Sequence, residues 1–187
     1  RFLHLADIDG SGTTDIIYLG NASIQVWFNN SGNSLSEPFA FFNPFPESDN
    51  QSQIACIDLL GNGTTSLVWS SALPGHSMAP LRYIDLMGGH KPHIMQSYKN
   101  NMGREVALSY KSSTHYYLED KKQGKKWITK LPFPVLCVSK VVVTDRVSQS
   151  RFTNEYSYHH GYYDAVEREF RGFARVEQRD SEVYEHF

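Results

Sequence analysis

The stretch DIDGSGTTDIIYL, residues 7–19, gathers oxygen-bearing side chains at short, even spacing. Asp7, Asp9, Ser11 and Asp15 lie two or four positions apart, with Gly10 and Gly12 between them. Hard cations such as Ca²⁺ take about six to eight oxygen ligands, and a loop supplies them by turning alternate side chains inward. Glycine lets such a loop close tightly because φ > 0 costs it no steric clash. Thr13 falls where comparable loops offer a backbone carbonyl, so the candidate ligand set is Asp7, Asp9, Ser11, Thr13 and Asp15. The spacing matches the first half of an EF-hand, but no glutamate stands at the twelfth position and IIYL has strand rather than helix composition. The stretch therefore reads either as a Ca²⁺ loop on a β-repeat or as a polar turn between two strands.

A second copy follows. LADIDGSGTTDIIYL aligns with CIDLLGNGTTSLVWS, so that Asp7, Gly10, Gly12, Thr13 and Thr14 recur as Asp58, Gly61, Gly63, Thr64 and Thr65, at an offset of 51 residues (58 − 7). Leu60 replaces Asp9, Asn62 replaces Ser11 and Ser66 replaces Asp15, so the second loop is expected to hold no metal. Each copy has a strand-like run before and after the loop, and SIQVWFNN and EPFAFF extend the first. About four strands per 40–50 residues is the pattern of propeller blades.

From residue 79 the period lapses. PLRYIDLMGG reads as another strand with a third, shortened turn, and HIMQSYKNN and REVALSYKSS as strands joined by NNMG. In the last of these Val106, Leu108 and Tyr110 alternate with Glu105, Ala107, Ser109 and Lys111, as in a sheet with one wet face. STHYYLEDKKQG predicts the one short helix, capped by Ser113 or Thr114 and closed by Gly124. LPFP then precedes two long β-runs, VLCVSKVVVTDRV and RFTNEYSYHHGYYD, with a hairpin expected at residues 148–150. In the second run Phe152, Asn154, Tyr156, Tyr158 and His160 are expected on one side. The repeats at about 1–51 and 52–90, and a second region from 91 to 187, give an all-β chain with one helix.

Composition narrows the function. The 187 residues are 40% hydrophobic and 20% charged, with formal net charge −2. That balance disfavours nucleic acid as a partner, which needs clustered Lys and Arg, and KKQGKK (121–126) is read as a solvated turn. No apolar run approaches the roughly twenty residues of a membrane-spanning helix, and no signal-peptide pattern opens the sequence, so direct membrane insertion is not expected. Cys56 and Cys137, each in an apolar run, are expected as buried free thiols. His90 and His93 are separated by Pro92, and the neighbours His159 and His160 should face opposite ways in a strand, so both pairs read as structural. No nucleophile elbow or phosphate loop is present, and an enzyme is not expected.

Three stretches carry a resemblance. WITKLPFPVLCVSKVVVTDRV, YSYHHGYYDAVEREFRGFARVEQRD and ADIDGSGTTDIIYLG resemble the B component of bacterial insecticidal toxin complexes and the N-terminal region of the related virulence plasmid protein B. Ala165 stands where proline is usual and Ala174 where a second glycine is usual. The resemblance implies an integrin-like (FG-GAP/VCBS-type) β-propeller over residues 1 to about 90, leading into antiparallel strands of an Rhs/YD-type β-shell. It also implies a pore-forming A component and a C component as partners, a gating and docking role for the propeller, and a shell enclosing a cytotoxic segment. The complex would be cytoplasmic before release and extracellular after it, and this chain would be a piece of a larger polypeptide. The alternative is a calcium-stiffened adhesion module.

Overall fold

The computed structural model describes residues 2–46 and 49–184. The chain divides into two compact units, Arg1–His93 and Ile94–Phe187. The first unit holds one antiparallel sheet per sequence repeat. In the first sheet β1 (Leu3–Ala6), β2 (Asp15–Leu19), β3 (Ser23–Trp27) and β4 (Phe39–Phe42) pair in sequence order. In the second, β5 (Ser52–Ile57), β6 (Ser66–Ser71) and β7 (Leu81–Asp85) do the same.

The alternation written in the sequence decides which face is buried. In β2 and β3, Ile17, Leu19, Ile24 and Val26 point inward and are almost inaccessible to solvent. Leu67 and Trp69 of β6 meet them, with Ile8 and Phe45 closing the core. Each such side chain contributes about 1.5–3 kcal/mol by leaving water. Trp69 is also held edge-on by the His76 ring, at 5.0 Å between centroids. The Arg82 guanidinium stands 5.6 Å from the Trp69 ring centroid, a cation–π distance.

The second unit is a five-stranded antiparallel sheet. β8 (Ser97–Lys99), β9 (Arg104–Ser112), β10 (Leu136–Asp145), β11 (Ser150–Asp164) and β12 (Glu169–Tyr184) lie side by side in that order. The helix α1 (Ser113–Lys122) follows β9. Its N-cap is Ser112, whose hydroxyl accepts from the His115 N–H, rather than Ser113 or Thr114. The strand runs through Ser112 into the helix, and the Ser113 hydroxyl accepts from Val135 N–H instead. Gly124, with φ 77°, ends the helical path where the sequence places a stop. Tyr116 is buried beneath the helix; its hydroxyl donates to Tyr156 O, and burial, with smaller repulsion from Cys137, pushes its pKa up to about 12.

The two long hairpins share one design. Asp145 ends β10 and accepts from the backbone N–H groups of Val147 and Ser148. Asp164 ends β11 and accepts from those of Val166 and Glu167 in the same way. Each four-residue turn closes on a left-handed residue, Gln149 (φ 53°) or Arg168 (φ 54°). The first turn thus spans 146–149, earlier than the expected 148–150, because Ser150 already pairs with Asp145. Residues 165–168 form the second turn, and Arg171 makes ion pairs beside it, at 3.2 Å to Glu169 and 4.0 Å to Asp164.

Both cysteines are free thiols. Burial raises the Cys56 thiol pKa and lifts that of Cys137 to about 11. Among the described residues no helix is long and apolar enough to cross a membrane.

Candidate cation-binding loop

The loop between β1 and β2 turns around the Asp7 carboxylate. Its Oδ1 accepts from Ser11 N–H at 3.0 Å and its Oδ2 from Gly12 N–H at 2.8 Å. Asp58 cages the second loop in the same manner, accepting from Asn62 and Gly63 at 3.1 and 2.8 Å. Since Leu60 and Ser66 take the places of Asp9 and Asp15 there, the turn alone explains Asp7 and the glycines, but not the other two acids.

Asp15 ties three elements together. At the start of β2 its Oδ2 accepts from Ile8 N–H and its Oδ1 from Asn29 N–H, both at 2.8 Å. It is fully buried. Burial raises its pKa most, and the nearby charges of Asp9 and Asp7 push the same way against the two backbone donors. Asp9 accepts from Ser11 N–H at 2.9 Å and contacts His93 Nε2 at 3.0 Å. Its burial acts upward as the largest single influence, but the combined hydrogen bonds from Ser11 and His93 hold its pKa below the usual carboxylate value.

Oxygens of Asp7, Asp9 and Asp15 lie within 4.8 Å of one another. The expected Ser11 hydroxyl has another partner, Thr13 Oγ1 at 2.9 Å, and Thr13, expected to offer its backbone carbonyl, donates its own hydroxyl to Asn29 O at 2.9 Å. Each of the six carboxylate oxygens takes one hydrogen bond, leaving a lone pair on each, as His93 donates to Asp9. Three hard, mutually repelling anions suit a hard cation such as Ca²⁺, with backbone carbonyls and water completing its shell. His93, 84 residues from Asp9, and Asn29 belong to this site without any signal in the sequence around the loop.

The two loops interlock through backbone. Thr65 N–H donates to Ile8 O at 3.2 Å and Thr65 Oγ1 to Asp7 O at 2.6 Å. Gly10 (φ 71°) lies so close that a Cβ there would stand 2.8 Å from Lys91 Cε and nearer still to Gly63 O.

Comparison with known proteins follows this geometry. The family described as the insecticide toxin TcdB middle/N-terminal region matches residues 29–186. The crystal structure of TcdB2–TccC3 is similar over 98% of this chain at 32% identity and TM-score 0.84. The same complex without its hypervariable C-terminal region gives 34% identity and TM-score 0.84, again over 98% of this chain. A Photorhabdus luminescens Tc holotoxin pore carrying a TccC3 mutation gives 34% identity, TM-score 0.84 and 98% coverage. The chain spans 9% of the matched chain in each of the first two and 8% in the third. No curated protein matches. The match over residues 29–186, carried by relatives more than 30% identical along nearly the whole length, places this chain in the insecticide toxin TcdB family of toxin-complex B components.

Proposed function

We propose that the chain is a structural and docking segment of a toxin-delivery complex, enclosing and engaging rather than catalysing. Residues 1 to about 90 supply blades of an integrin-like β-propeller, which docks on and gates the pore-forming A component. Residues 91–187 begin an Rhs/YD-type shell, which with the C component encloses the toxic segment. The assembled complex acts outside the producing cell.

One observation carries the propeller reading. The outward face of the first sheet bears Leu3, Leu5, Ile16 and Tyr18, and Leu3, Leu5 and Tyr18 are 59%, 64% and 43% exposed. At the repeat offset their counterparts are Ile54, Cys56, Leu67 and Trp69, which pack against the inner face of the first sheet. A sheet apolar on both faces is built to be stacked between like sheets, as blades are. The paired Asp-headed hairpins likewise suit a shell made of repeated strands. The test is co-purification of the complete B polypeptide with its A and C components. A stable three-part assembly is expected; a B polypeptide that binds neither partner overturns the proposal.

A second reading, a calcium-stiffened loop, is favoured by the convergence of Asp7, Asp9 and Asp15. Ca²⁺ is then expected to raise the melting temperature of the parent and to release heat in calorimetric titration. Asp9→Ala should lose both effects. No heat and no thermal shift in the parent leaves the stretch a turn.

A further inference from the structure

We infer that residues 125–134 form a strap fastened to β11 in part by the neutral form of His160, so that mild acid loosens it. His160 sits at φ 57°, a left-handed conformation inside a strand. The strict alternation expected of β11 would send His159 and His160 to opposite faces; this backbone turn brings both rings to the helix and strap side. The two rings are used differently. His159 Nδ1 donates to Asp120 Oδ2 at 2.6 Å, a bond available whether or not its other nitrogen carries a proton. His160 Nδ1 accepts from the backbone N–H of Ile128 at 3.2 Å, which requires a lone pair on that nitrogen. Protonation there sets two N–H groups against each other.

The strap lies directly on the strand. A Cβ at Gly161 would come within 2.9 Å of Leu131 and 3.2 Å of Trp127. Trp127 Nε1 donates to Asp120 at 2.7 Å and Tyr163 N–H to Lys130 O at 3.3 Å. The strap brings Lys125, Lys126 and Lys130, and β12 brings Arg175, the register partner of His159. Asp120 of α1 is the anion here, and Trp127 and His159 already share its Oδ2. Histidine titrates in the mildly acidic range, so this bond is a pH-sensitive fastening, while the Trp127 and Lys130 bonds hold at both ends of that range.

Hydrogen exchange read by mass spectrometry on the complete polypeptide tests this, using peptides covering 125–134 at about pH 7.5 and about pH 5.5. Comparing parent and variant at the same pH cancels the intrinsic pH dependence of exchange. His160→Asn keeps an acceptor and tolerates the left-handed backbone, but does not titrate. At the lower pH the parent strap should exchange roughly tenfold faster than His160→Asn, the worth of one hydrogen bond. At the higher pH the two should match. His160→Gly, which suits the backbone but removes the acceptor, should exchange fast at both. Equal strap exchange in parent and His160→Asn at the lower pH overturns the inference, as does slow exchange in His160→Gly.

Discussion

Gly10→Ala is expected to destabilise the Arg1–His93 unit by at least about 3 kcal/mol. The left-handed backbone costs an L-residue roughly 1–2 kcal/mol. The new methyl also meets Gly63 O, and the loops cannot simply separate. Retreat would break the bonds from Thr65 to Ile8 and Asp7, each worth about 1 kcal/mol. Gly12 is the internal control. It also has positive φ (89°), yet a Cβ there meets nothing within 4 Å. Gly12→Ala should therefore show the backbone strain alone, about 1–2 kcal/mol. Denaturant unfolding of both variants separates the effects; equal losses would mean that the loops do not interlock.

Asp120→Ala is expected to cost the Ile94–Phe187 unit about 2–6 kcal/mol, because it removes the shared acceptor of two ring N–H donors, at about 1–3 kcal/mol for each left unsatisfied. Its side chain is 5% exposed and anchors three segments: α1 itself, Trp127 of the strap and His159 of β11. Alanine would leave both ring N–H groups without their acceptor in a largely buried region. His159 Nε2 is already buried without a partner, so neither nitrogen of that ring would be satisfied. A drop in thermal stability no larger than that of an exposed substitution contradicts this account.

The pH dependence of the same residue has a defined sign. Burial of Asp120 acts upward as the largest influence, but the bonds from His159 and Trp127, with the charges of His159 and Lys125, bring its pKa below its ordinary 3.8. A depressed carboxyl binds its proton more weakly folded than unfolded. Its contribution is therefore complete above 3.8 and is lost as pH falls through the lower folded value. Asp120→Asn should remove this component of acid sensitivity below pH 3.8, read as a shallower loss of stability on acidification.

Much of the fold was legible because it rests on local rules. The offset between Asp7 and Asp58 marks two like loops, and each proves to be built on the same carboxylate cage. The alternation in IIYL and SIQVW assigns their buried faces, and the paired glycines mark the positive-φ turns. What escaped is governed by distant or backbone-level events. Nothing near residue 9 announces His93, which arrives from 84 positions away. The cap of α1 falls on Ser112 because the preceding strand and Val135 claim Ser112 and Ser113 for different bonds. His160 defeats a period-two reading, since a single left-handed residue redirects a ring without changing the pairing of its neighbours. The acids of the candidate site were legible as residue types; that Asp15 is wholly buried between Ile8 and Asn29 depends on how the strands meet.

The inward placement of the thiols bears on where such a chain can travel. With a pKa of about 11, only roughly one Cys137 in ten thousand is thiolate at neutral pH, and thiolate is the form that exchanges or oxidises. Cys56 is shifted in the same direction. No bridge joins the two cysteines and neither sulfur is primed to make one, so a change from a reducing to an oxidising medium would leave this covalent framework as it was.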